Sequence, residues 1–166
     1  MFRTKHALAP LIGLPAIALV AAGCGSGGTV AASTTTKSSS SSTSARTATV
    51  SVARNAKLGR ILVDDQGRTL YLFEKDHGSM SACSGACAAT WPPLRATGGS
   101  SAGSGLSASK IGTTARSDGK PQITYHGHPL YRYVADQKPG DTNGQDIDQF
   151  GGSWYVLSPA GSKVER

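Results

Sequence analysis

The fold is decided by two stretches that lie sixty positions apart, Thr69-Leu70-Tyr71-Leu72-Phe73-Glu74-Lys75-Asp76 and Pro129-Leu130-Tyr131-Arg132-Tyr133-Val134-Ala135-Asp136. Both carry the same spacing: an aromatic residue, a second aromatic two positions later, and an aspartate three positions after that. Side chains at positions i and i+2 of a strand share one face. Each stretch therefore predicts a strand with two aromatic side chains on one side, followed by an aspartate where the strand gives way to a loop.

A short apolar run precedes each stretch and completes a β-hairpin pattern. Residues 61–63 lead through a turn into the first aromatic strand, and residues 122–125 lead through a turn into the second. Three further elements are predicted: a third aromatic strand at 153–157, one short helical turn at 84–90 and a Gly/Ser-rich mobile surface loop at 97–109. The fold class that follows is mainly β, with two similar β-hairpin units packed into one small sandwich or barrel-like domain and one short helical turn.

The motif residues are expected to build the core and to pin its loops. Pseudo-twofold packing of the two units would bring four aromatic side chains into one cluster: Tyr71, Phe73, Tyr131 and Tyr133. An aspartate just after a strand can accept hydrogen bonds from loop N–H groups or from a tyrosine hydroxyl. That is the role expected of Asp76 and Asp136.

The N-terminus has the pattern of an export signal. A short basic segment precedes an apolar run at residues 7–22, which is too short for a comfortable membrane span. Residues 22–24, Ala-Gly-Cys, resemble the lipobox of exported bacterial lipoproteins. We therefore predict a lipoprotein signal peptide at 1–23 and a lipid anchor on Cys24. The alternative is an ordinary secretory signal, because small residues also suit ordinary cleavage.

Residues 24–48 are predicted to be the lipidated cysteine and a disordered tether. Apart from the cysteine, this segment is almost entirely Gly, Ser, Thr and Ala, which cannot bury enough apolar surface to offset the entropy of ordering it. A flexible chain of this length spans about 25–30 Å between its ends. The remaining residues, 49–166, are long enough for one domain.

The charge of the chain does not indicate a nucleic-acid partner. The formal net charge is +7, but four of the 17 basic residues and none of the 10 acidic ones precede residue 49. The domain is therefore only mildly basic, and its Lys and Arg residues are scattered instead of forming a stripe. The expected partners are the membrane, through the anchor, and a cell-wall or envelope protein, with the domain itself monomeric.

Two interpretations remain open for the cysteines of the predicted domain. An even number of cysteines in an exported domain favours a Cys83–Cys87 disulfide, which would add about 2 kcal/mol from chain entropy because its loop is short. The alternative is a copper, zinc or thiol-redox site, because imidazole, thioether and thiolate groups bind these metals. Its candidate ligands are His77, Met80, Cys83, Cys87, His126 and His128.

Other chemistry has weaker support in the sequence. The acidic loop 141–148 offers oxygen ligands at alternating positions, but its glycine does not match an EF-hand and no glutamate closes it, which favours a plain Asx turn. There is no nucleophile elbow and no Gly-rich phosphate loop. No catalysis and no cofactor are therefore expected, with copper or zinc as the alternative.

Taken together, these features resemble a known family: bacterial predicted lipoproteins, or secreted repeats of unknown function, named for a Tyr-x-(Phe/Trp/Tyr)-x-x-Asp motif. The resemblance covers most of residues 58–160. Besides both motif copies it includes the Cys-x-x-x-Cys segment that runs into Trp91-Pro92-Pro93, the loop at 140–144 and the Trp154 strand. One departure is His128, where family members often carry an aromatic residue.

The resemblance implies export, lipid anchoring, a duplicated β unit and no established activity. Combined with the composition, it predicts a lipid-anchored envelope protein on the extracytoplasmic face of the cell membrane. The function expected is that of a non-catalytic binding or structural surface domain. The alternative is an extracytoplasmic metal-binding or thiol-redox protein.

Overall fold

A computed structural model describes residues 47–165 of the chain. The predicted signal peptide at 1–23, Cys24 and nearly all of the predicted tether lie outside the described residues. Within 47–165, none of the helices has the length and apolar character needed to cross a membrane.

The described chain is mainly β, as predicted, and its nine strands form three small sheets. The strands are β1 (Ala48–Asn55), β2 (Gly59–Val63), β3 (Tyr71–Phe73), β4 (Ser100–Ala102), β5 (Ile111–Thr114), β6 (Gln122–Tyr125), β7 (His128–Pro129), β8 (Ile147–Gln149) and β9 (Gly152–Val156). The sheets have the strand orders β2-β1-β4, β3-β9-β8 and β5-β6-β7, and none is a closed barrel. The predicted helical turn is α1 (Ala86–Thr90), and a 3₁₀ turn covers Ala108–Lys110.

The second predicted hairpin forms between β6 and β7, where Tyr125 pairs with His128 across the two-residue turn His126-Gly127. Both turn residues have positive φ, 51° and 84°, as a tight hairpin turn of this length requires. Glycine adopts this conformation readily, whereas histidine does so at a cost. β7 ends at Pro129, so the strand is shorter than the predicted 129–133.

The first predicted hairpin forms only at its turn. The N–H of Leu70 donates to the carbonyl of Leu62 at 3.0 Å, and Val63 and Thr69 form an isolated antiparallel β-bridge. From Tyr71 onward the chain leaves β2 and forms β3, which pairs antiparallel with β9 instead, Tyr71 opposite Val156. The difference arises because a run of strand-forming residues predicts a strand but not its partner, which here lies far along the chain.

The two repeats exchange their closing segments. Leu62 of the first repeat donates its N–H to Leu157 of the second at 2.9 Å, and Ile123 of the second donates to Leu94 of the first at 2.8 Å. At the centre, Tyr71 and Tyr131 each donate a backbone N–H to the other's carbonyl, at 2.9 and 3.0 Å. The predicted pair of packed units is therefore an interlocked pair, in which β3 of the first repeat joins β9 and β8 of the second in one sheet.

Alternation along the central strands divides the core in two. Tyr71 and Phe73 face an aromatic cluster, whereas Leu70 and Leu72 face an aliphatic cluster on the opposite side. Both faces of β3 are covered, and all three of its residues are buried. Because β3 is buried on both faces, the domain is sandwich-like, with the motif aromatics in the layer on one side of β3.

The predicted Gly/Ser-rich loop contains more regular structure than expected. Its segment Ser100–Ala102 is β4, which pairs parallel with the start of β1, and Ala108–Lys110 is the 3₁₀ turn before β5. Small residues suit this position, because a Cβ added at Gly103 would lie 2.3 Å from the Ser51 hydroxyl. The composition of the loop predicted a turn-rich segment but did not indicate the strand.

Candidate functional site

The motif tyrosines and aspartates form hydrogen bonds across the two repeats. The Tyr71 hydroxyl donates to Asp136 Oδ2 at 2.6 Å, and the Tyr131 hydroxyl donates to Asp76 Oδ2 at 2.9 Å. Each repeat thus supplies the aspartate for the tyrosine of the other. We call these two contacts the cross-repeat pairs.

The second carboxylate oxygen of each aspartate holds the loop that follows it. Asp76 Oδ1 accepts the N–H of Ala82 at 2.7 Å, and Asp136 Oδ1 accepts the N–H of Asn143 at 2.9 Å. Both partner types expected for these aspartates, a loop N–H and a tyrosine hydroxyl, are therefore present. The motif aspartate joins a loop of its own repeat to the motif tyrosine of the other.

Burial shifts the pKa of every group in the cross-repeat pairs. It raises the pKa of Asp76 to about 6, although the Ala82 N–H and the Tyr131 hydroxyl act in the opposite direction. It likewise raises the pKa of Asp136, and it raises the pKa of both tyrosines. The tyrosines are therefore protonated donors, while Asp76 titrates near neutral pH.

Arg116 stabilises the loop that follows Asp76, a role that nothing in the sequence indicated. Its guanidinium is buried and donates to the Ser81 hydroxyl at 2.6 Å, to the Gln122 side-chain oxygen at 2.6 Å and to the Cys83 carbonyl at 2.5 Å. The same Ser81 hydroxyl lies 2.7 Å from the Tyr131 hydroxyl, whose single proton is donated to Asp76. Its positive charge also lowers the pKa of Asp76, which partly offsets the effect of burial.

We expect Asp76 to make the domain more stable at pH 5 than at pH 7. Its pKa of about 6 lies above that of the unfolded chain, so its stabilising contribution is full below the unfolded pKa and is lost as the pH rises through 6. After allowance for its partial exposure, the contribution is about 1–2 kcal/mol. His128 acts in the opposite direction, because burial and the neighbouring His126 lower its pKa.

The measurement is urea unfolding between pH 4 and 8, for the natural chain and for Asp76→Asn. The variant keeps the shape of the side chain but cannot titrate, so the difference between the two curves isolates Asp76 from His128. A difference that does not change with pH would contradict the assignment.

A column of four stacked aromatic rings fills the aromatic cluster. Phe73 stacks on Trp154 with ring centroids 4.0 Å apart, Trp154 stacks on Trp91 at 4.0 Å, and Trp91 stacks on Tyr133 at 4.2 Å. Tyr71 meets Trp91 edge-on at 5.3 Å. We call these four stacked rings the aromatic column.

Tyr131 meets Trp154 edge-on with ring centroids 5.1 Å apart, and the expected clustering of the four motif aromatics is confirmed. Sequence reasoning missed that the two tryptophans lie between them. The signal was available, because Trp91 and Trp154 each stand three residues before a buried leucine, Leu94 and Leu157.

Gln149 holds both indoles of the column. The Trp91 Nε1–H donates to its side-chain oxygen at 3.0 Å, and the Trp154 Nε1–H donates to its backbone carbonyl at 3.1 Å. Gly144 lies against the same rings, since a Cβ there would be 2.7 Å from the Trp91 ring and 2.9 Å from the Tyr71 ring. The loop at 140–144 therefore needs glycine at 144 for space.

Cys83 and Cys87 are joined by a disulfide, with Cα atoms 5.3 Å apart. Both are buried in the aromatic cluster, at the start of α1. His77 and Met80 lie on a tight turn before them, where each donates its N–H to the carbonyl of the other. Met80 is 65 % exposed, whereas both cysteines of the disulfide are buried.

His126 and His128 lie on the other hairpin, in a surface groove of about 710 Å³. The groove draws its wall from both repeats and from the C-terminal segment: Leu72, Phe73, Glu74, Asp76, His126, His128 and 161–163. Gly161 is required there, because its Cβ would lie 2.5 Å from the His126 side chain. Lys163 pairs with Glu74 at 2.7 Å along the same wall.

The metal interpretation stays a prediction. Residues 47–165 contain no group of three or more His, Cys, Asp or Glu side chains placed to hold a metal ion. In this structure the six candidate ligands fall into three places: the exposed turn, the disulfide and the groove. Metal binding by the cysteines would require reduction of the disulfide, because the thiolate is the ligand form.

The acidic loop forms turns, but the hydrogen bonds of Asp141 are not those of the Asx turn that the sequence favoured. Asp141 Oδ2 accepts the N–H groups of Gln137 and Lys138, each at 3.1 Å, which precede it in the chain, whereas the side chain in an Asx turn binds the N–H two residues later. Asp146 adopts a positive φ of 59°, which aspartate tolerates better than most residues. Interaction with the Asp146 carboxylate raises the pKa of Tyr155.

Comparison with known proteins places the whole arrangement in a family. The family model described as a secreted repeat of unknown function matches the chain twice, at residues 52–95 and 112–158. Each match spans one repeat and ends just beyond its tryptophan. No curated protein and no solved structure matches the chain. Because the two matches together cover more than half of its residues, the chain belongs to the family of secreted repeats of unknown function.

Proposed function

We propose that the protein is exported, is anchored through lipid on Cys24, and holds a non-catalytic binding domain at the extracytoplasmic face of the cell membrane. Membership in a family of secreted repeats supports export. The N-terminal pattern that ends in Ala-Gly-Cys supports the anchor. The motif hydroxyls and carboxylates are engaged with one another and with loop N–H groups, which supports a structural role for them and a ligand site elsewhere.

The groove beside the His126-Gly127-His128 turn is the observation that carries this proposal. Its volume of about 710 Å³ lies in the range of ligand sites, and it combines buried apolar residues with imidazoles and carboxylates. One of its groups, His128, has a lowered pKa because of burial and the neighbouring His126, and shifted pKa values are common at binding sites. His126 is also held at a positive φ, a costly conformation for histidine.

The ligand that best fits the proposed location is a polymer of the cell wall. Sugar hydroxyls and amides suit the two imidazoles and the Glu74 carboxylate that line the groove. The predicted tether of about 25–30 Å would hold the domain near the wall.

Co-sedimentation of the full chain with purified peptidoglycan sacculi tests this function. The natural chain is expected to sediment with the sacculi, and His126→Ala and His128→Ala are each expected to reduce the bound fraction severalfold. His77→Ala is the matched control, because that histidine lies on the exposed turn outside the groove. Equal binding by all three variants, or no binding by the natural chain, would exclude the groove as a cell-wall site.

Lipidation is tested separately by replacing Cys24. We expect Cys24→Ser to abolish incorporation of an alkyne fatty-acid analogue and to move the protein from the membrane fraction to the medium or the soluble envelope fraction. Two to three acyl chains hold a protein firmly, because each buried CH₂ contributes about 0.8 kcal/mol. If the variant still incorporates label, or the natural chain does not, the signal is an ordinary secretory one.

A further inference from the structure

We propose that a surface pocket lined by three arginines binds a phosphate ester, and that lipid head groups beside the tether are the source of that phosphate. The pocket has a volume of about 250 Å³. Its wall includes Arg68, Arg95 and Arg132, which lie far apart in the sequence, together with Thr47, Ala48 and Asp65. We call it the arginine pocket. Phosphate binding there is independent of the groove, whereas the lipid source rests on the anchor proposed above.

A buried carboxylate holds two of the guanidinium groups side by side. Asp64 Oδ2 accepts the Nε–H of Arg132 at 2.6 Å and the Nε–H of Arg68 at 3.0 Å, and the side chain of Asp64 is fully buried. The other oxygen, Oδ1, accepts the backbone N–H groups of Gln66 and Arg68, each at 2.9 Å. Both oxygens of Asp64 are thus engaged, so the two arginines are fixed in place before a ligand binds.

These contacts leave positive charge and N–H donors available to a ligand. A single carboxylate neutralises only one of the two guanidinium groups that it holds. The side chains of Arg68 and Arg132 remain 32 % and 24 % exposed. The two terminal nitrogens of Arg132 make no hydrogen bond within residues 47–165, because Asp64 accepts only from Nε.

The third arginine and two further carboxylates complete the charge around the pocket. Arg95 pairs with Asp118 at 2.6 Å, and that carboxylate is 41 % exposed and lies outside the wall. Asp65 is an exposed carboxylate within the wall. The wall therefore has three positive groups and one negative group, and guanidinium groups in proteins do not lose their proton. Such a surface attracts anions.

Phosphate is the anion that this arrangement fits. The planar guanidinium group presents parallel N–H donors that match two oxygens of a phosphate, and hydrogen bonds between charged groups are stronger than neutral ones. The volume of about 250 Å³ is smaller than that of most drug-sized ligand sites, which suits a small head group. A phosphate ester of glycerol combines this charge with this size.

The arginine pocket is the counterpart of the groove in the other half of the domain. Three positions of its wall lie sixty places from three positions of the groove, which is also the spacing between the two motif copies. The pairs are Gln66 and His126, Arg68 and His128, and Arg132 and Leu72. The duplicated fold thus forms the same concavity twice. Because one carries guanidinium groups where the other carries imidazole and apolar groups, we expect the two sites to bind different ligands.

The position of the tether favours a lipid as the source of the phosphate. Thr47 and Ala48 belong to the wall of the pocket, and the predicted tether leads from residue 48 back to Cys24. A tether of about 25–30 Å keeps the pocket within reach of the head groups and raises their effective concentration. Anionic head groups also attract arginines that lie close to a membrane surface.

Titration of the full chain with glycerol phosphate, followed through the arginine Nε–H signals in heteronuclear NMR, tests phosphate binding. The chain carries Cys24→Ser so that no lipid is attached. We expect the Arg68 and Arg132 signals to shift, and Arg132→Gln to weaken binding about tenfold. Arg60→Gln is the matched control, because it removes the same charge from an exposed arginine outside the pocket and should change the affinity by about twofold or less. Equal losses in the two variants would overturn the proposal.

Asp65→Asn keeps the test decisive if Arg132→Gln folds poorly. Asp65 is exposed and its side chain makes no hydrogen bond within the described residues, so the replacement should not disturb the fold. Loss of its negative charge should raise the affinity for glycerol phosphate about twofold. An unchanged or lowered affinity would show that the phosphate does not bind in the arginine pocket.

Co-sedimentation of the same Cys24→Ser chain with vesicles identifies the source of the phosphate. We expect stronger binding to vesicles that contain phosphatidylglycerol than to vesicles of phosphatidylcholine alone, and Arg132→Gln should remove most of the difference while Arg60→Gln should keep it. Residues 1–46 are otherwise the same in every variant, so any binding through the apolar run at 7–22 cancels. Binding of glycerol phosphate without a preference for phosphatidylglycerol would overturn the lipid source. The fatty-acid labelling of Cys24 is read separately, so failure of the anchor is distinguished from failure of the pocket.

Discussion

Replacing Trp154 with alanine is expected to lower the free energy of unfolding by about 3–5 kcal/mol. The indole is fully buried and lies between Phe73 and Trp91, each at a centroid distance of 4.0 Å. Its loss also leaves the Gln149 carbonyl without the indole N–H that donates to it. A small domain has a total stability of about 5–15 kcal/mol, so much of the variant should be unfolded at moderate temperature.

Urea unfolding followed by circular dichroism measures this loss, with Phe150→Ala as the control. Phe150 is an aromatic residue in the turn between β8 and β9, but its side chain is 41 % exposed. Its truncation is expected to change stability by about 0.5 kcal/mol or less. Similar losses of unfolding free energy in the two variants would show that the aromatic column does not contribute strongly to the stability of the core.

The second large effect is a coupling between residues of different repeats. A double-mutant cycle of Tyr71→Phe and Asp136→Ala should give a coupling energy of about 1.5–3 kcal/mol, as for a buried hydrogen bond to a charged group. The reason is the 2.6 Å contact between the hydroxyl and the carboxylate.

The control cycle uses two residues of one motif copy, Tyr71 and Asp76. No hydrogen bond joins these side chains within the described part of the chain, so their effects should add to within about 0.5 kcal/mol. Unfolding free energies of the single and double variants, measured in urea at pH 7, decide the matter. A stronger coupling within the copy than between the copies would contradict the exchange of partners.

The motif spacing predicted much of this site because it encodes local geometry. A spacing of two positions puts both rings of the first copy on one face of β3, and the later aspartate falls where loop N–H groups need an acceptor. Those features required no knowledge of distant residues. They correctly predicted the aromatic clustering and both kinds of partner for Asp76 and Asp136.

What the sequence could not predict were contacts between distant positions. Nothing in the pattern of residues 69–76 says that β3 pairs with β9 and not with β2, because strand patterning is the same for either partner. The sequence does not place Trp91 in the core, because Pro92 and Pro93 after it are typical of the end of a helix. The role of Arg116 depends on Ser81 and Cys83, more than thirty positions earlier, which no local signal links to it.

The exchange of closing segments has a consequence for any shorter form of the chain. One repeat alone holds a tyrosine whose aspartate is missing and a strand whose partner is missing, so it has no complete core. Two such repeats on separate chains could restore every contact by associating around a twofold axis, as in a domain-swapped dimer. The present chain is the covalently joined counterpart of that dimer, and joining makes its assembly independent of protein concentration.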